Sequence, residues 1–149
     1  AVYTLRDRTA TNHGRIAFTV TPDWDCPPHP GPVAQRAFLH LSDRQFTSSC
    51  VSIITFYTGL HVRFHDAERN YIEVLETSLQ HWRAGEAHHI VVEWHGSGGG
   101  ARLVVDGVEV ACCQLPRHLS GAFQHLHLGH RPGNWRAHAR ITDLEFDLQ

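Results

Sequence analysis

A period of two runs through nearly the whole chain, and no other feature restricts its fold as much. In Arg15-Ile16-Ala17-Phe18-Thr19-Val20, the bulky Ile16, Phe18 and Val20 share one face while Arg15 and Thr19 lie opposite. That is the pattern of a strand buried on one side. The same alternation recurs at residues 60–65, 90–95, 101–106 and 125–128, and weaker strands are predicted at 38–41, 51–58, 71–76, 108–113 and 137–148. A strand apolar on one face must bury it against a second layer. About ten such strands with no long helical period predict an antiparallel sandwich or barrel.

Turn chemistry agrees. Asp106-Gly107 is a strong hairpin signal because both turn positions favour positive φ, and Ser97-Gly98-Gly99-Gly100 reads as a second turn. Together they predict a three-strand meander. Cys26-Pro27-Pro28-His29-Pro30-Gly31-Pro32 carries too many prolines for a sheet interior and is expected as a surface loop inside the domain.

The 149 residues suit one domain, 1–149, with a real core. A net charge of -2, without a basic run, argues against nucleic acid as a partner. No apolar stretch is long enough to span a membrane, so no membrane insertion is expected, and Ala1-Val2-Tyr3-Thr4 lacks the regions of a signal peptide. All 13 cations are Arg and His reaches 14, a skew that reads more as coding bias than as 14 separate functions.

Four cysteines are compatible with an oxidising compartment. Cys112 and Cys113 are adjacent in a strand and point to opposite faces, so one packs inward, one points out, and they are poor disulfide partners. A Cys26–Cys50 bridge is the one pairing expected if the protein is secreted. No C-x-x-C spacing supports zinc.

The stretch Trp82-Arg83-Ala84-Gly85-Glu86-Ala87-His88-His89-Ile90-Val91-Val92-Glu93-Trp94, followed by a glycine turn and Leu103-Val104-Val105-Asp106-Gly107, resembles the central signature of laminin-G-like domains. Gly14 to Trp24, Leu126-His127-Leu128-Gly129 and residues 139–146 resemble that family's opening and closing strands. The resemblance covers most of the chain and implies a two-sheet antiparallel jelly-roll sandwich of the concanavalin A-like kind. Trp94, Ile90, Val92, Leu103 and Val105 fall on one face as core, and Trp24 and Trp82 are expected to pack. His88 and His89 point to opposite faces and are read as structural.

The superfamily includes glycan-cleaving enzymes, which need two carboxylates across the scissile bond. Glu73 and Glu76 are three apart and face opposite ways. Asp143-Leu144-Glu145-Phe146-Asp147 alternates, but it sits on a closing strand. No other catalytic motif is present, and the expectation is no enzyme.

The outward faces are expected to carry His40, His61, Arg63, His65, His125 and His127, planar polar groups that suit sugar hydroxyls, with Arg suited to acidic sugars. The competing reading is a solvated, His-rich surface. Trp135, in a loop with Arg131 and Arg136, is either a contact residue or a lid, and Tyr57 and Tyr71 stand at strand ends as lesser candidates. Many laminin-G-like relatives bind Ca²⁺ at the sandwich rim. Asp143 matches one position of that pattern, Thr142 replaces another, and Asp23, Asp25 and Asp66 are further loop carboxylates.

The sequence thus predicts a non-catalytic module that recognises carbohydrate. The alternative is a protein-docking or adhesion domain, part of a larger or homo-oligomeric assembly. The expected location is extracellular or at the cell surface, with virion or cytoplasm as alternatives.

Overall fold

The computed structural model describes residues 1–4, 13–26, 35–42, 49–65, 71–96, 98–116, 119, 125–131 and 135–148, without the side chains at 49, 50, 71, 130, 131 and 135. None of the described residues is helical. The strands are β1 (Val2–Thr4), β2 (Gly14–Pro22), β3 (Arg36–Ser42), β4 (Ser49–Phe56), β5 (Gly59–His65), β6 (Tyr71–Ser78), β7 (His88–Trp94), β8 (Gly100–Val105), β9 (Val108–Gln114), β10 (His125–Leu128), β11 (His130–Arg131), β12 (Trp135–Arg136) and β13 (Ala139–Leu148). A six-stranded sheet runs β1-β10-β3-β4-β5-β6, a five-stranded sheet runs β13-β2-β7-β8-β9, and β11-β12 form a small ribbon. The two large sheets make the antiparallel jelly-roll sandwich.

The parity read from the sequence places the core. Ile16, Phe18 and Val20 of β2 pair with Val92, Ile90 and His88 of β7. Ile90, Val92, Trp94 and Leu103 are fully buried, and Val105 packs partly buried against them. Opposite them, Leu39, Ile53, Val62 and Leu75 form one inward row across β3, β4, β5 and β6. Apolar burial of this kind stabilises by about 25 cal/mol per Å², which is why the two inner faces close on one another.

The β7–β8–β9 meander is built as expected. Asp106 and Gly107 both have positive φ, 52° and 81°. The Asp106 carboxylate accepts the His89 backbone N–H at 2.8 Å and His88 Nδ1 at 2.8 Å. His88 in turn stacks on Trp82, with ring centroids 4.0 Å apart. Burial pushes the Asp106 carboxyl up, but these hydrogen bonds outweigh it and hold the group below its usual value. His88 is half-buried and His89 exposed, so the His-His-to-Asp-Gly signature is a hairpin lock.

Two expectations change and one holds. The alternation at 143–147 is interrupted by a β-bulge between Thr142 and Glu145, and Asp143 sits there with φ 53°. A bulged residue leaves the pleat, so parity fails at that point. Cys26 is a free, buried thiol, so the Cys26–Cys50 bridge is not formed; the Cys50 side chain and the 27–32 proline segment lie outside the described residues. Cys112 is exposed and Cys113 half-buried against the core, as strand alternation requires.

Candidate functional site

The six-stranded sheet presents the polar set expected of it. Its outer rows follow from the register: His127, His40, Ser52, Arg63 and Val74 in one, and Ala37, Ile54, His61 and Glu76 in the next. His125 and His65 occupy outward positions at the same end of β10 and β5.

The two halves of this face differ. Around β10, β3 and β4 the outward groups are closed off: His127 is 2% exposed, His40 3% and Ser42 0%. Ser42 Oγ and His127 Nε2 are 3.1 Å apart, and the His40 and His127 rings meet edge to face at 5.6 Å. The notion of a uniformly solvated face is therefore wrong for this half, because the polar side chains pack on one another. His125 joins the same group, 6.4 Å from His127.

The half around the β4–β5 hairpin is open. Tyr57 begins the two-residue turn with φ 54° and is 58% exposed. A left-handed conformation costs a non-glycine residue roughly 1–2 kcal/mol, and strain of this kind concentrates at working surfaces. Phe56, next to it, meets the Tyr57 ring edge to face at 4.5 Å and the His61 ring at 5.8 Å. The Arg63 guanidinium lies 5.3 Å from the Phe56 ring centre, within cation–π range.

His61 Nε2 stands 3.4 Å from Glu76 Oε1. Gly59 makes this approach possible: a Cβ there would sit 2.8 Å from His61 Nε2 and 3.0 Å from Glu76 Oε1. Burial pushes the His61 imidazole below its ordinary pKa, Arg63 adds to the effect, and Glu76 only partly opposes it. His61 is therefore neutral at pH 7, able to donate from one ring nitrogen and accept at the other. The cluster thus combines two aromatic rings, a neutral imidazole, a guanidinium and an exposed carboxylate.

Of the sequence candidates, His61, Arg63 and Tyr57 come together here, while His125 and His127 lie with His40 at the closed end and His65 sits on β5 between. The side chains of Trp135 and Tyr71, and all of Asp66, are outside the described residues. Phe56 and Glu76 are site residues that the sequence reading missed. Parity would have found both, since 52, 54 and 56 alternate with the core positions 51 and 53, and 76 adjoins the core position 75.

Among the described residues no three His, Cys, Asp or Glu side chains are placed so that they could hold a metal ion. Asp25 accepts the Ala84 N–H at 2.9 Å, Asp23 lines a groove at the rim, and Asp143 accepts from Thr142 Oγ1 at 2.9 Å. Glu76 faces outward, exposed, while Glu73 on the other face of β6 is half-buried and accepts the Val74 N–H. On the five-stranded sheet the charges neutralise one another: Arg15 pairs with Glu145 at 3.1 Å and Glu93 at 3.4 Å, and Arg102 with Glu93 at 2.6 Å. The hydrogen bond from Arg102 holds the Glu93 carboxyl below its usual value.

No family model matches the chain, and no curated protein matches it by sequence. Solved structures match it closely in shape. The receptor binding domain of botulinum neurotoxin D superposes with a TM-score of 0.73 at 9% identity, over 97% of this chain and 37% of that one. The LG4-5 domains of the mouse laminin alpha1 chain give 0.67 at 13%, over 98% and 38%. Sheep galectin-11, solved with glycerol, gives 0.61 at 5%, over 98% and 96%. The chain thus spans little more than a third of the toxin and laminin structures. All share the concanavalin A-like jelly roll, and at these identities the likeness is one of fold.

Proposed function

We propose that the chain is a non-catalytic binding module for carbohydrate, with its site on the open half of the six-stranded sheet. The carrying observation is the Phe56–Tyr57–His61–Arg63–Glu76 cluster. An exposed Tyr ring and a half-exposed Phe ring offer apolar faces to sugar C–H groups. Around them stand a neutral imidazole, a guanidinium and a carboxylate, which between them donate to and accept from vicinal hydroxyls. Arg63 adds a preference for saccharides bearing a carboxylate. The likeness to a galectin, a laminin LG pair and a toxin's receptor binding domain supports a surface that recognises other molecules, and a secreted or cell-surface setting is the one such modules suit.

Hydrolysis is disfavoured by geometry. Glu73 and Glu76 lie on opposite faces of β6, and Glu145 and Asp147 belong to the outer face of the other sheet, with Glu145 engaged by Arg15. Among the described residues no carboxylate pair faces across the open cluster, as glycosidic cleavage requires.

Protein docking is the competing reading, and one observation favours it: Val108 and Val110 on the edge strand β9 are 63% and 37% exposed, and edge strands invite pairing. A glycan array separates the two. Reproducible hits that vanish with Arg63→Ala and survive Arg102→Ala support the saccharide reading, and silence across the array with wild-type protein refutes it in favour of docking.

A further inference from the structure

Of the seven arginines whose side chains are described, five are engaged. Arg15 and Arg102 hold glutamates, Arg36 lies over Trp24 at 4.2 Å, Arg63 lies over Phe56, and Arg83 donates to the carbonyls of Gln80 and Trp82. Arg136 and Arg140 are the exceptions. Both are exposed, and neither has a hydrogen bond, ion pair or ring contact among the described residues. His138, between them, is exposed too, so three basic side chains stand at alternate positions along one stretch of chain.

The three line the same groove, about 810 Å³ in volume, at the rim where β2 and β13 approach the end of β10. Its walls are tied by backbone hydrogen bonds: Asp23 N to His138 O at 3.1 Å, Gly85 N to Pro22 O at 2.8 Å, and Ala137 N to Gly129 O at 2.8 Å. The groove is therefore formed before any ligand arrives, which lowers the entropic cost of binding. Gly85 and Gly129 have φ of 83° and 74°, with open space where a Cβ would be. Asp23 is the single carboxylate among the lining residues, and its charge acts on Arg36. The groove is net positive in a chain of net charge -2.

The lining also narrows the class of ligand. Glycines and the small Ala137 and Ala139 leave no deep apolar pocket to anchor a peptide's large side chain. Among the described residues no Phe, Tyr or Trp ring lines the groove, so nucleobases would have no broad ring to stack on. Two guanidiniums and an imidazole over a bare backbone wall suit a hydrophilic ligand with oxyanions, since guanidinium matches carboxylate and sulfate in a two-pronged geometry.

We propose that this rim groove is a second binding site, for sulfate or carboxylate groups carried on an acidic saccharide, held by Arg136 and Arg140 with His138. It does not rest on the sheet-face site, from which it is built of different strands.

Calorimetric titration of the full chain with a heparin-derived tetrasaccharide, maltotetraose, hexaglutamate and the oligonucleotide (dT)6 tests it. The heparin tetrasaccharide should bind, more weakly as salt rises, and maltotetraose should not compete at the groove. Arg136→Gln with Arg140→Gln should weaken binding at least about tenfold, as expected for loss of two charge-assisted contacts. The melting temperature should stay put, because neither side chain has a partner to lose; should the double variant melt early, Arg140→Gln alone gives the same comparison. Arg102→Gln, on the outer face of the other sheet, should bind as wild type. The proposal is overturned if wild-type protein does not bind, if Arg102→Gln costs as much as the groove variants, or if hexaglutamate or (dT)6 binds as tightly.

Discussion

Gly14 and Trp94 face each other across β2 and β7, and their fit can be tested as a thermodynamic cycle. A Cβ on Gly14 would lie 2.0 Å from Trp94 Cζ2 and 2.4 Å from Cε2 and Cη2. Neither partner can yield. Trp94 is fully buried with its ring edge to face with Phe64 at 6.2 Å, and the Gly14 backbone is held between Trp94 and Leu148. Gly14→Ala should cost about 3 kcal/mol, the upper range for overpacking, and Trp94→Ala about 3–5 kcal/mol. In the double variant the ring is gone and the methyl enters the space it left. The pair should then cost no more than Trp94→Ala alone, a coupling of about 3 kcal/mol, where independent sites add to within about 0.5 kcal/mol. Urea unfolding followed by far-UV circular dichroism reads this without relying on the deleted indole. Additive losses, or a Gly14→Ala cost under about 0.5 kcal/mol, would show that the core around Trp94 is packed differently.

Three further outcomes follow from the geometry. His61 is held below its ordinary pKa by burial, so the unfolded chain binds that proton more tightly and stability should fall as pH drops through about 6.5. His61→Gln should flatten this part of the stability–pH curve while costing under about 1 kcal/mol at pH 7.5, and an unchanged slope would remove His61 from the account. Burial raises the Cys26 and Cys113 thiols, Glu73 adding at Cys113, whereas Cys112 is exposed. Brief alkylation read by peptide mass spectrometry should therefore label Cys112 first, and equal labelling of Cys26 would contradict its burial. Asp106→Ala removes two hydrogen bonds and places alanine at φ 52°, so thermal or urea melts should register a loss of about 2–3 kcal/mol; a neutral result would mean the hairpin does not depend on its lock.

The sequence carried the faces and not the coverings. Alternation fixes which side of the sheet a side chain leaves, so the core row of Ile90, Val92 and Trp94 and the outer positions of His61 and Arg63 could be read directly. It carries nothing about what packs over a face, which is why His40 and His127 looked solvated and are buried. Bulges were equally hidden. At Asp143 an extra residue enters the ladder, and only pairing with β2, more than a hundred residues away, shows it. Asp106-Gly107 was legible because the turn demands particular φ values. Tyr57 was not read as a strained turn residue, since nothing in its side chain favours φ 54°. The site needed register as well as parity: Phe56 opposes Gly59, and that pairing sets the aromatic ring beside His61.

The central claim is that the open half of the six-stranded sheet holds a saccharide. Nitrogen-15 chemical-shift mapping tests it most directly, using the strongest array ligand or, failing one, mono- and disaccharides at tens of millimolar. Shifts should concentrate at Phe56, Tyr57, His61, Arg63 and Glu76 and disappear with Arg63→Ala. Shifts confined to the Arg15–Glu93–Arg102 face of the other sheet, or none with any sugar, would contradict it.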